Sequence, residues 1–180
     1  MSEYAEAART QVLRRMAEGG PATDILNELC LAFEANVPGT KAGVTILDRT
    51  LRSFESATFP SLAPTYAEAL KGILVADKPG SCALAVFEGR TVISTDVAGD
   101  TRFAPLWKEL GAQHGLEALV SIPVMGSDKK AVGTFVVAYP PKTGLNRDDL
   151  RAADEFAEVC GLVLNRRRGK PTMPNPAVPA

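Results

Sequence analysis

An excess of charge of either sign is missing from this chain. Its 180 residues carry 20 lysines and arginines against 21 aspartates and glutamates, for a net charge of −1. A protein that holds nucleic acid by its phosphates needs a basic excess to displace counterions, so no nucleic-acid partner is expected. Long apolar runs are also missing. None approaches the roughly 18–20 residues that span a bilayer, and the opening Met1-Ser2-Glu3-Tyr4-Ala5-Glu6 is acidic rather than signal-like. No membrane partner and a cytoplasmic location are expected. Cysteines are few: Cys30, Cys82 and Cys160 are far apart and form no Cys-x-x-Cys pair, which fits reduced thiols better than a disulfide framework. The single histidine, His114, would have to serve any Cys–His or Ser–His mechanism. One histidine also excludes a histidine-rich metal site. The Gly and Lys spacing of a phosphate-cradling loop is absent. No catalytic residue, metal ligand or required cofactor is assigned.

What is present suits one domain with a full core, since 46% of residues are apolar. Glu3 to Glu18 reads as a helix with Ala5, Ala8, Val12 and Met16 near one face. A second helix, capped by Thr23 or Asp24, carries Leu26, Leu29, Cys30 and Phe33 at helical spacing. The period then changes. Ala42 to Leu47 and Leu51 to Thr58 read as a hairpin, and Tyr66, Ala69, Leu70 and Ile73 fit a short helix. A glycine turn at Gly80 opens a small apolar run, and Val86 to Val97 is expected to supply strand. Phe103, Leu106, Trp107 and Leu110 lie at i, i+3, i+4 and i+7, one face of a helix with Pro105 near its start. Leu119 to Val124 and Val132 to Ala138 form a second hairpin. Asn146 caps a long last helix with an apolar stripe at Leu150, Ala153, Ala157, Cys160 and Leu164, ending at Arg166-Arg167-Arg168. Hairpins favour an antiparallel sheet, and long helices at both ends can cover one face of it in an α+β layer.

The ordered set Gly80-Ser81-Cys82-Ala83, Gly89-Arg90, Thr95-Asp96-Val97, Asp100-Thr101-Arg102-Phe103, His114-Gly115-Leu116, Ser121-Ile122-Pro123-Val124 and Gly133-Thr134-Phe135 resembles a GAF domain. The likeness is nearest to GAF modules of bacterial sensor kinases and cyclic-di-nucleotide enzymes. It implies a central antiparallel sheet of five to six strands, terminal helices on one face and a ligand pocket on the other, roofed by Ala98 to Gly115. It divides the chain into a dimer or signalling helix (1–20), the GAF domain (21–168) and a disordered Pro-rich tail (169–180). The function it implies is a non-catalytic sensor of a small molecule in bacterial signal transduction, two-component systems included. Such a sensor would be a homodimer through its terminal helices and would report to a partner protein or a linked output module. The ligand is not named by the fold.

The candidate ligand-binding residues are Thr45, Cys82, Phe103, Leu106, Trp107, His114, Ser121 and Thr134. Cys82 resembles the cysteine of free methionine-(R)-sulfoxide reductases, which would make it a redox thiol. Those enzymes use further cysteines in the roof, and Asp96 to Val120 has none. The plainer reading is a small core residue. His114 matches the position of a haem ligand in some GAF sensors, or is a turn residue before Gly115. Phe103 and Trp107 either pack on a planar ligand or fill the core. Thr45, Ser121 and Thr134 are hydroxyls in apolar strands, which either bond a ligand or pocket water or are structural, Thr for its β-branching and Ser by bonding backbone. Asp96, Asp100 and Arg102 either hold a polar ligand or cap and pair locally. The Asn-Lys…Phe…Asp-Glu signature of cyclic-nucleotide GAF domains is missing.

Overall fold

The computed structural model describes residues 1–50, 52–75 and 80–169, with side chains to residue 167. Eleven elements follow one another among them: α1 (Glu3–Ala17), α2 (Ala22–Asn36), β1 (Lys41–Asp48), β2 (Ser53–Thr58), α3 (Pro64–Leu70), α4 (Ser81–Glu88), β3 (Val92–Ser94), α5 (Pro105–Gln113), β4 (Ala118–Met125), β5 (Ala131–Tyr139) and α6 (Arg147–Gly169). The strands form one antiparallel sheet in the order β2-β1-β5-β4-β3.

Period-2 alternation sorts the strand residues between two cores. Val44, Ile46, Val120, Ile122, Val124, Phe135 and Val137 face the terminal helices. There α1 buries Ala5, Ala8 and Val12, and α2 buries Leu26, Leu29, Cys30 and Phe33. Phe33, Phe135 and Phe156 make a cluster of rings with centroids 5.2 to 6.0 Å apart. Asn146 caps α6 in a reciprocal pair: its Oδ1 accepts from the Asp149 N–H (2.9 Å), and Asp149 Oδ2 accepts from the Asn146 N–H (3.3 Å). Leu47, Leu119, Val136 and Ala138 face the other way, into a second core covered by α3, α4 and α5. Thr45, Ser121 and Thr134 share that second face by alternation.

Three expectations change. The stretch from Val86 to Val97 is not mainly strand: Val86 lies in α4, and only Val92–Ser94 pairs with β4. A short run such as Ser81-Cys82-Ala83-Leu84-Ala85-Val86 suits either period. Here Gly80 opens a helix and Gly89, at φ 65°, closes it in the left-handed conformation. At α2 the cap position is Pro21, with no side-chain cap bond, so Thr23 and Asp24 fall inside the first turn. Proline has no N–H to leave unpaired there. Finally, β2 begins at Ser53, after Arg52 turns at φ 51°. Leu51 and the tail from residue 170 lie outside the described residues.

Candidate functional site

The second core contains a line of aromatic contacts that starts at a missing side chain. A Cβ on Gly43 would sit 1.9 Å from the Phe59 ring, so that ring lies directly on the β1 backbone. Tyr66 meets Phe59 edge-on (centroids 4.8 Å apart), and His114 meets Tyr66 at 5.2 Å. Beside them is a cavity walled by Phe54, Tyr66, Leu70, Phe103, Trp107 and Leu119, with Gly80, Ser81 and Cys82 along one side. Its void measures about 430 Å³ when the part open to solvent is counted, but the room left for the centres of water molecules is about 30 Å³. That holds roughly two waters, whereas pockets for drug-sized ligands run to about 300–1,000 Å³. The cavity is therefore nearly filled by the surrounding side chains. Trp107 closes one wall: a Cβ on Gly80 would lie 3.0 Å from its ring, so the indole rests against bare backbone.

Of the expected residues, Cys82, Phe103 and Trp107 line the cavity. Ser121 lies just behind it. Its hydroxyl donates to Ser81 Oγ (2.9 Å) and lies 3.8 Å from Cys82 Sγ. Deeper in the sheet, the Thr45 and Thr134 hydroxyls meet, and Thr45 Oγ1 also accepts from the Thr134 N–H (3.2 Å). Leu106 is not brought to the site: it is 64% exposed. His114 does not line the cavity either. Its Nδ1 donates to the Leu110 carbonyl and its Nε2 bonds the Thr65 hydroxyl, both at 3.0 Å. Phe54, Tyr66, Leu70 and Ser81 line the cavity without having been singled out for it. Tyr66 and Leu70 were legible only as the apolar face of a short helix.

Cys82 is poorly placed to react. Burial pushes its thiol up, and the hydroxyls of Thr134, Ser121 and Ser81 offset this only in part. Burial likewise raises Cys30 and Cys160, which belong to the core on the opposite face of the sheet. The acidic cluster pairs locally. Arg102 grips Asp100 through Nε (2.9 Å) and NH2 (2.6 Å), and NH2 also donates to the Ile93 carbonyl (2.6 Å). Arg102, through its side chain and its N–H, holds the Asp100 carboxyl well below the usual carboxylate range. Asp96 Oδ1 accepts from the Gly99 N–H. Among the described residues no three His, Cys, Asp or Glu side chains gather to hold a metal ion.

Residues 21–165 match the sequence pattern of the GAF domain. The chain belongs to the GAF family. Among curated proteins none matches its sequence. Among solved structures, the GAF domain of a phosphoenolpyruvate-protein phosphotransferase from Coxiella burnetii is similar to it with a TM-score of 0.69 at 11% identity, covering 93% of this chain and 99% of that one. A GAF domain/HD domain protein from Geobacter sulfurreducens has a TM-score of 0.61 at 14% identity, covering 82% and 94%. A type II free methionine-R-sulfoxide reductase from Thermoplasma acidophilum has a TM-score of 0.59 at 14% identity, covering 91% and 96%. Sensor kinases and other signalling proteins also supply structural neighbours of this GAF domain. At these identities the likeness establishes the fold. No helix among the described residues is long and apolar enough to cross a membrane.

Proposed function

We propose that this GAF domain is a non-catalytic sensor that binds a small molecule in the cavity beside α5 and transmits occupancy through the terminal helices to a partner or a linked output module. One observation carries the reading: the cavity is apolar, its wall includes the half-buried Trp107, and that indole is packed on Gly80 with no side chain between them. A ligand that displaced the indole would change how α5 packs on the sheet. Coupling to an output then needs only that the two packings differ in ligand affinity.

The contrary reading, a reductase of free methionine sulfoxide, draws on the Thermoplasma acidophilum neighbour. Three observations speak for the sensor instead. The attacking species in thiol chemistry is the thiolate, and Cys82 is buried and shifted away from it. The other thiols lie across the sheet. A zwitterionic amino acid needs charged partners, and no charged side chain lines the cavity among the described residues.

Native mass spectrometry of the purified protein, with an absorbance spectrum, tests the proposal. A retained small molecule, or one that binds and is lost on Phe103→Ala, supports it. Robust turnover of free methionine sulfoxide, abolished in Cys82→Ser, would replace it with the enzyme. A Soret band lost in His114→Ala would replace it with a haem protein.

A further inference from the structure

Most polar groups in and behind the cavity use their hydrogen bonds on one another. Ser121 donates to Ser81 and faces Cys82, and Thr45 meets Thr134. Tyr66 does not share in this. It is 6% exposed and lines the cavity, yet its hydroxyl has no hydrogen-bond partner among the described residues. The only fully enclosed side-chain polar atom without a partner among the described residues is Ser94 Oγ, so the Tyr66 hydroxyl keeps some accessible surface, where a water or a ligand atom can pair with it.

A second set of donors lies at the start of α4. Gly80 provides no side-chain cap, and the first helical bond runs from the Leu84 N–H to the Gly80 carbonyl (3.0 Å). The amides of Ser81, Cys82 and Ala83 are thus left without helical acceptors, and these three residues line the cavity. Tyr66 and α4 together present hydrogen-bond donors to a space whose other described walls are mostly apolar.

We infer that the pocket takes a small, uncharged, largely apolar molecule with one oxygen acceptor, such as a ketone or amide carbonyl, held by the Tyr66 hydroxyl and the first amides of α4. This rests on the ligand-binding reading above. A carboxylate would gain the weak attraction of one helix end. It would lose its hydration with no cationic side chain among the described lining residues in return, and that loss is the larger effect. Size is limited as well, because Trp107 must leave Gly80 before even a six-membered ring can enter.

Three ring probes test the inference: cyclohexanone, cyclohexane and cyclohexanecarboxylate, each titrated into the whole protein and followed by amide chemical shifts. Cyclohexanone is expected to bind about tenfold tighter than the other two, and Tyr66→Phe to weaken it about tenfold while leaving cyclohexane unchanged. Equal binding of cyclohexane, tighter binding of the carboxylate, unchanged cyclohexanone affinity in a folded Tyr66→Phe, or no binding of any probe would each overturn it. Should Tyr66→Phe fail to fold, the ranking of the probes on the unmodified protein decides. Preference for the carboxylate would leave the sensor reading standing while removing this one. Failure of all three would also remove it, and the sensor reading would still be decided by its own mass-spectrometric test.

Discussion

Thr45 and Thr134 lie opposite each other on β1 and β5, and their hydroxyl oxygens are 2.6 Å apart at full burial. Each satisfies the other where no water reaches. Thr45→Val should therefore leave the Thr134 hydroxyl with only the weakly accepting Cys82 thiol beside it and cost about 1–3 kcal/mol. The double change Thr45→Val, Thr134→Val removes both polar groups at nearly constant shape and should cost less than the sum of the singles. Denaturant unfolding of the four proteins in the cycle measures this, and additive losses would mean that the pair is uncoupled.

The two sides of the α5 segment should respond differently to truncation. Phe103 is 5% exposed and Leu106 is 64% exposed. Phe103→Ala should lose about 3–5 kcal/mol, and Leu106→Ala should stay within about 0.5 kcal/mol of the parent. Thermal or chemical melts separate the two.

Trp107 is the only tryptophan, so its fluorescence reports on the cavity wall alone. Gly80→Ala places a methyl group 3.0 Å from the indole at an ordinary backbone angle of φ −81°. The half-buried ring can give way. The expected result is a red-shifted emission with a modest stability loss, about 1 kcal/mol, at the low end for overpacking. Unchanged emission would show that the indole is not seated on Gly80.

Acid should weaken the Asp100–Arg102 clip. The Asp100 carboxyl titrates below its unfolded value because Arg102 holds it. Its contribution is therefore present above about pH 4, the usual aspartate value, and is lost as the pH falls through the lower folded value. Asp100→Asn should reduce stability at neutral pH and flatten the acid limb of a stability–pH curve. Identical acid limbs in the two proteins would contradict this.

Thiol labelling offers a further check. Cys30, Cys82 and Cys160 are all buried and free, and burial raises each of them. Iodoacetamide near pH 8 should modify none of them rapidly in the folded protein and all of them after denaturation. Fast labelling of Cys82 alone would put a reactive thiol at the cavity.

The layers of the fold were legible because their signals are local. Runs such as Ala42 to Leu47 and Val132 to Ala138 combine β-branching with strand length, and the stripes of α2 and α6 have helical period. The pairing of Thr45 with Thr134 was not legible: it joins residues 89 positions apart through the sheet register. Leu106 was misplaced for a geometric reason. The spacing of Phe103, Leu106, Trp107 and Leu110 assumes one continuous helix, but α5 starts at Pro105 and Phe103 precedes it. The inward face is then set by Trp107 and Gly111, which line the cavity, and Leu106 turns to solvent. Tyr66 gave no sign of a special role, because its pattern fits an apolar helix face and only its unpaired hydroxyl sets it apart.

The grip of Arg102 on the Ile93 carbonyl has a consequence beyond the loop it fastens. β3 is the outermost strand on its side, three residues long, and the outer rim of a sheet invites strands from other molecules to add on. A guanidinium already occupies the acceptor such a strand would seek. That border of the molecule is thereby guarded against templated growth between copies.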